Sequence, residues 1–240
     1  MSFKFLYEPI LNDYHYGAVA LILICAFAAL YFVLATTFYI AVNYLFKRQI
    51  LKRIIDKPYF SHQFRFEILH SIWSFIIFGL YGTLIVFLYR IESLVIGFEG
   101  GYLVVIDLSI LAIWNEIHFY SGHRLMHSKF LVKFHRVHHK SVVVTPYSTY
   151  SFHPLESVIM GSVMIIPLLF YPFQIWSLII FPIYHLFFNT VGHTNAQFKN
   201  DKKRTSSISS RHNSHHTKFS INYGFVSTFT DRFANLFNQK

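Results

Sequence analysis

Long uncharged runs alternate with short basic segments along this chain. Residues 17–46 and 68–89 contain no Asp, Glu, Lys or Arg, and a third apolar run at 102–120 is interrupted only by Asp107 and Glu116. A helix needs about 20 apolar residues to cross a hydrocarbon core about 30 Å thick. The pattern therefore predicts three membrane crossings in the first half of the chain.

A fourth uncharged run covers residues 157–198. It is too long for one crossing and just long enough for a tight hairpin, with Pro172 as the natural break. We therefore expect a hairpin within 157–193. The predicted fold class is an all-α integral membrane protein with about four transmembrane helices, the last two a hairpin, in one domain over residues 1–240.

Lysine and arginine concentrate in three segments, 47–65, 124–140 and 199–211. With the crossings above, all three fall on one side, which should be cytosolic because basic loops stay on the cytosolic side. We expect the N-terminus on the opposite side and a location in a bacterial inner membrane or the endoplasmic reticulum. The net charge of +10 is thus explained by membrane-flanking segments, and no nucleic-acid partner is expected.

Three histidine boxes, HRLMH, HRVHH and HNSHH, lie in or directly beside the two basic segments nearest the C-terminus. Helical residues three and four apart share a face, so each box can direct several imidazoles to one point. At this histidine content, roughly 0.06 HxxHH boxes are expected by chance, and motif matches must be weighed against that risk. Two occur. The predicted ligands are His123, His127, His135, His138, His139, His212, His215 and His216.

These imidazoles suit iron, zinc, copper or nickel. Eight are too many for one ion with open positions, so two metals with four or five nitrogens each fit the count better. No cysteine lies in the boxes, which excludes an Fe–S cluster. A soluble-type di-iron site needs two ExxH pairs, whereas this chain has one, Glu67 with His70, which we interpret as incidental.

Three other functions compete with a redox metal centre. A bis-histidine haem cytochrome uses isolated histidines within spans, which clustered boxes do not resemble. A metal-binding or metal-transport protein without oxygenase activity should place ligands near the middle of the membrane. A zinc hydrolase needs a general base beside an open zinc, and the chain has no HExxH motif.

The box series resembles the fatty acid hydroxylase and sterol desaturase superfamily of membrane di-iron oxygenases, over about residues 100–235. The segments TPYSTYSFHPLE, NYG and TFTDR match as well. The resemblance implies a helical membrane fold with a cytosolic metal cap and two non-haem iron ions, for which zinc can substitute. It also implies O2-dependent hydroxylation or desaturation of a lipid, sterol or fatty acyl, taken from the bilayer. Electrons would come from cytochrome b5 or ferredoxin with a reductase.

The same resemblance extends the candidate site. His193 is implied as a ligand from the last membrane helix, and Asn189 stands where some members have a further histidine, so a water held by Asn189 could replace that ligand. His185 shares the face of His193 and is a candidate for the surrounding shell. Glu116 and Tyr120 match an acidic and an aromatic position, and are our candidate catalytic residues.

Four further expectations concern the surroundings of the site. Glu116 should accept a ring N–H and fix a tautomer, with pairing to Arg124 or to a helix end as the alternative. His118 should serve helix packing or the outer shell, and His153 should position a loop. The aromatic C-terminal segment, 219–237, should lie along the membrane surface.

Overall fold

The computed structural model describes residues 3–201 and 207–237. Lys202, Lys203 and Arg204 of the basic tail lie outside the described residues. The described chain is mostly helical, and its helices and strands are α1 (Tyr16–Lys47), β1 (Leu51–Arg53), α2 (Gln63–Arg90), α3 (Tyr102–Met126), α4 (Val132–His139), α5 (Pro154–Gly161), α6 (Ile165–Leu168), α7 (Ile175–Gly192), β2 (Ala196–Phe198), α8 (Ile208–Lys218) and α9 (Phe229–Phe237).

Four helices, α1, α2, α3 and α7, are long and apolar enough to cross a membrane. This confirms the predicted class of a helical membrane protein with about four spans. The helix α3 continues six residues beyond the predicted end at Tyr120. The first histidine box therefore begins inside the span rather than in a loop after it.

The predicted hairpin at 157–193 has one continuous arm and one broken arm. The continuous arm is α7, while the other consists of the short helices α5 and α6, and Pro172 lies between the arms. Backbone bonds from Gly97 N–H to Phe173 O (3.0 Å) and from Ile175 N–H to Gly97 O (2.8 Å) place the tip of the hairpin beside the loop that joins α2 to α3. By length and composition, only α7 of the two arms qualifies as a span among the described residues.

Side chains from neighbouring helices satisfy the carbonyls along the broken arm. Tyr81 donates its hydroxyl to Val158 O at 2.9 Å, and Trp114 donates Nε1–H to Val163 O at 2.8 Å. Irregular backbone is tolerated at membrane depth only where protein groups satisfy it. His118 lies 2.9 Å through Nε2 from Ser162 Oγ, so its contact joins α3 to the broken arm, which matches its expected role in helix packing.

The described parts of the three basic segments share one end of the helix bundle. The strand β1, within 47–65, pairs antiparallel with β2, which precedes 199–211. His127, within 124–140, lies 3.1 Å through Nε2 from Nε2 of His215 on α8. We call this the histidine end. The N-terminal residues lie at the opposite end, where Arg90 donates to the Leu11 and Tyr14 carbonyls.

A close contact between α1 and α2 depends on Gly79. A Cβ atom at this position would lie 2.9 Å from the backbone nitrogen of Ile24 and 2.4 Å from its Cγ1. Only a residue without a side chain lets the two helices approach this closely. Tyr31, Phe75 and Phe78, which belong to the main apolar core, lie on the same pair of helices.

The Gly79→Val protein is expected to unfold at lower temperature than the unmodified protein, because forcing side-chain volume into a packed interface costs about 1–3 kcal/mol. Thermal unfolding in detergent, followed by tryptophan fluorescence, measures the shift. Gly100→Val is the matched control, since a Cβ at Gly100 meets nothing within 4 Å. Equal unfolding temperatures for the two variants would contradict the conclusion that the contact between α1 and α2 depends on Gly79.

The C-terminal helix α9 carries an exposed apolar face. Phe229, Phe233 and Leu236, spaced four and three residues apart, are all more than half exposed. The helix packs against α3. The location of this segment along a membrane surface stays a prediction.

Candidate metal centre

Four helix termini bring the histidines together. His123 lies in the last turn of α3 and His127 directly follows that helix. His193 follows the last residue of α7. The second and third boxes lie on α4 and α8. The site thus forms where two candidate spans end and two short helices cover them.

All nine predicted ligands fall into two groups of converging ring nitrogens. In each group, one nitrogen from every residue lies within 4.8 Å of all the others. Group one contains His123, His127, His135, His139 and His215, and group two contains His138, His193, His212 and His216.

Each HxxHH box contributes to both groups. On α4, His135 and His139 belong to group one and His138 to group two. On α8 the assignment is reversed, because two histidines belong to group two and His215 to group one. The pair four residues apart shares one group in both helices, and the remaining histidine points to the other.

The Nε2 atoms of group one approach one another closely. His139 Nε2 lies 3.0 Å from Nε2 of both His135 and His215, and His215 Nε2 lies 3.1 Å from that of His127. The Nδ1 atom of His215 is occupied, because it donates Nδ1–H to Ile221 O at 2.6 Å. A carbonyl only accepts, so the proton is on Nδ1 and Nε2 keeps its lone pair.

His123 is held in the same way, because its Nδ1–H donates to Tyr223 O at 3.0 Å. In group two, His193 donates Nδ1–H to Asn189 O at 2.7 Å. Its Nε2 lone pair faces Nε2 of His212 at 2.9 Å. These tautomers are assigned from the hydrogen-bond network. Ring nitrogens that face one another in this way need a proton or a cation between them.

Glu156 holds the ring of His135. The Nδ1–H of His135 donates to Glu156 Oε1 at 2.7 Å, and both side chains are 1% exposed. A carboxylate in this position fixes the tautomer, directs Nε2 to the metal position and raises its basicity. The other carboxylate oxygen, Oε2, is buried without a hydrogen-bond partner among the described residues.

The pKa values of the candidate ligands favour neutral rings at physiological pH. Burial lowers the pKa of His127 to about 4. Burial, with a smaller contribution from the neighbouring His127 ring, lowers the pKa of His215 to about 3. The neutral imidazole is the form that binds a metal ion, so the rings are ready to act as ligands at pH 7.

A small cavity lies between the two groups. Its volume is about 10 Å³, enough for about one water molecule. Members of both groups line it together with Glu156 and Asn189, and its apolar wall consists of Phe119, Phe152 and Met160.

The donor set fits metal ions rather than a hydrogen-bonded polar core. Nine neutral imidazoles offer nitrogen ligands of one kind, and the described cysteine, Cys25, is exposed on α1 and belongs to neither group. Buried ring nitrogens of His138, His139 and His216 also lack partners. Metal–imidazole bonds of about 2.0–2.1 Å place opposite ligands about 4 Å apart, close to the spread within each group.

Residues 108–235 match the model of the family described as fatty acid hydroxylase. This is more than half of the chain and includes all nine predicted histidine ligands. The chain belongs to the fatty acid hydroxylase family.

Curated relatives of this fatty acid hydroxylase family member are Delta(7)-sterol 5(6)-desaturases. The desaturase of Candida dubliniensis is 27% identical over 143 residues, covering 58% of this chain and 36% of the relative. That of Schizosaccharomyces pombe is 25% identical, with 55% and 43% covered, and that of Saccharomyces cerevisiae is 27% identical, with 59% and 38% covered. The chain thus spans less than half the length of the curated relatives it matches. No solved structure matches it.

The structure does not place the two predicted catalytic residues of this family member at the histidine rings. Glu116 accepts hydrogen bonds from Val226 N–H at 2.9 Å and from the Ser227 hydroxyl at 2.9 Å. It therefore fastens the C-terminal segment to α3 and does not fix a ring tautomer, so that expectation is wrong. The Tyr120 hydroxyl accepts from Arg124 at 2.6 Å, and Tyr120 does not line the cavity.

The remaining predictions have separate outcomes. His185 contacts the Tyr150 hydroxyl through Nδ1 at 3.1 Å and belongs to neither histidine group. Asn189 lines the cavity, and the water ligand expected at Asn189 stays a prediction. His153 caps the start of α5 by accepting from Leu155 N–H at 3.1 Å, which orders the turn that presents Glu156.

Proposed function

We propose that this chain is a multi-pass membrane oxidoreductase that uses two non-haem iron ions and O2 to hydroxylate or desaturate a lipid. The observation that carries the proposal is the pair of histidine groups, whose Nε2 lone pairs converge on two points beside an apolar-walled cavity. The groups would hold one ion each. Bound iron would supply the activation of O2 that oxidation of an unactivated C–H bond requires.

The residues of the chain provide ligation, orientation and exclusion of water. Neutral rings supply nitrogen ligands, and Glu156 and the backbone carbonyls hold those rings in the Nδ1–H tautomer. Phe119, Phe152 and Met160 keep bulk water from the cavity, which protects a reactive centre from side reactions. An electron donor such as cytochrome b5 or ferredoxin with its reductase would reach the centre from the cytosolic side.

The position of the ligands favours this function over metal transport. Both groups lie where α3 and α7 end, at the histidine end of the bundle. A transport site is expected near the middle of the membrane. Clustering of rings on short helices also differs from the isolated axial histidines of a haem cytochrome.

The names of the relatives suggest a sterol as one substrate, and the family name suggests a fatty acyl chain as another. Lipid mass spectrometry of cells that express the chain, grown with and without oxygen, tests the proposal. We expect an oxygen-dependent product with either one added oxygen atom or two fewer hydrogen atoms. An unchanged lipid profile in membranes that contain the metal-loaded protein and a matching electron donor would refute it.

A further inference from the structure

A fully buried carboxylate lies at the histidine end but outside both histidine groups. Glu67, in the second turn of α2, is 0% exposed. It also lies outside the residues matched by the family model, 108–235. A buried charge without partners is costly, so the groups that surround this carboxylate indicate what it does.

Three neutral side chains donate to Glu67. Gln63 Nε2–H and the Ser141 hydroxyl each donate to Oε1 at 2.7 Å, and the Thr145 hydroxyl donates to Oε2 at 2.5 Å. Two of these donors belong to the segment that directly follows α4. Gln63 adds a third hydrogen bond between α2 and that segment, because its Nε2 also donates to Val143 O at 2.8 Å.

The helix α4 depends on such anchoring. It has only eight residues, too few for an isolated helix to be stable in water. It nevertheless carries His135 and His139 of group one and His138 of group two. The segment 141–145, held by Glu67 and Gln63, begins two residues after His139. The position of the last turn of α4 is therefore fixed from α2.

Further contacts extend the same attachment. Tyr31 of α1 donates its hydroxyl to Tyr147 O at 2.6 Å, and Ser74 of α2 donates to Tyr150 O at 2.8 Å. The first two helices thus hold the stretch that leads from α4 to Phe152 and Glu156 in the cavity wall.

We propose that Glu67 is a positioning residue for the metal centre, which fixes α4 by binding segment 141–145. The inference rests on the proposed metal function, because a position of α4 matters only if its rings bind metal. Glu67 does not touch a ligand itself. The competing explanation is that its hydrogen bonds only stabilise the fold.

A matched pair of variants separates the two explanations. Asp107 is also 0% exposed and accepts from Gln174 N–H at 2.6 Å and the Ser177 hydroxyl at 2.9 Å, but it lies at the opposite end of the bundle. We would load the full chain with Co²⁺ in nanodiscs, record the d–d absorption bands, and follow metal release on addition of EDTA, for Glu67→Ala, Glu67→Gln, Asp107→Ala and the unmodified protein.

We expect Glu67→Ala to release Co²⁺ about tenfold faster, the lower end of the effect of removing groups that orient ligands, and to alter the absorption bands. Glu67→Gln should fall between it and the unmodified protein, since the amide keeps one acceptor oxygen, and it carries the test if the alanine variant does not fold. Asp107→Ala should unfold at lower temperature but release Co²⁺ at the original rate.

Two results would overturn the inference. One is unchanged release and absorption in both Glu67 variants. The other is equal acceleration in Glu67→Ala and Asp107→Ala, which would mean that general stability alone governs metal retention. If the unmodified protein binds no Co²⁺, the proposed metal function fails and the inference fails with it. The unmodified protein alone therefore distinguishes failure of the metal function from failure of the role proposed for Glu67.

Discussion

His138→Ala protein is expected to insert into membranes but to lose lipid oxidation. His138 is one of four nitrogen donors in group two, and three remaining rings leave an incomplete shell. Purified protein loaded with iron should fall from about two metal ions per chain to about one, because group one keeps a full set of nitrogen ligands. Elemental analysis and lipid mass spectrometry measure the two effects.

The matched control for this experiment is His70→Ala. His70 lies on α2, contacts Phe66 O through Nδ1 at 2.8 Å and belongs to neither group. The His70→Ala protein should keep both its metal ions and its activity. Full activity in His138→Ala would remove the proposal of a two-metal oxygenase.

Glu156→Ala is expected to weaken metal binding by about 10–100-fold, the usual effect of removing a carboxylate that holds a metal-binding histidine. Without Glu156, His135 loses the acceptor for its Nδ1–H and is free to turn or to change tautomer. Competition with a chelator of known affinity measures the change. Activity should fall with it.

Glu116→Ala is the control that separates orientation of a ligand from packing of the tail. Its carboxylate binds residues 226–227 and no histidine, so this variant should lose thermal stability while its metal affinity stays the same. If Glu116→Ala weakened metal binding more than Glu156→Ala did, the roles assigned to the two carboxylates would be reversed.

The sequence predicts the features that depend on local spacing. Apolar runs are long enough to define α1, α2, α3 and α7, and boxes with intervals of three and four residues identify the candidate ligands on α4 and α8. Both signals arise within one helix, so no knowledge of tertiary packing is needed.

The carboxylates show where sequence reasoning ends. The position of Glu116, seven residues before His123, favours it as the partner of a ring, whereas the ring contact comes from Glu156, 21 residues beyond His135. Which carboxylate reaches a ring depends on how α5 packs. The sequence places Glu156 in the first turn of a helix that begins at Pro154. It does not show towards which histidine that helix directs the side chain. The sequence gives no sign of the role of Glu67, because its donors Ser141 and Thr145 lie more than 70 residues away.

The broken arm of the hairpin could not be predicted for a related reason. An uncharged run gives no sign of whether the backbone inside it is helical throughout. The break at α5 and α6 is stabilised by Tyr81 and Trp114 from other helices, and Gly161 lies where a Cβ would come within 2.9 Å of the Phe78 ring.

The division of each HxxHH box between the two groups has a consequence for the distance between the bound ions. The helices α4 and α8 each supply nitrogen donors to both groups. The spacing of residues along an α-helix therefore sets the distance between the two metal positions. In the proposed two-iron centre, the backbones of α4 and α8 would therefore limit the separation of the two ions, and we expect that separation to change little when lipid, oxygen or an electron donor binds.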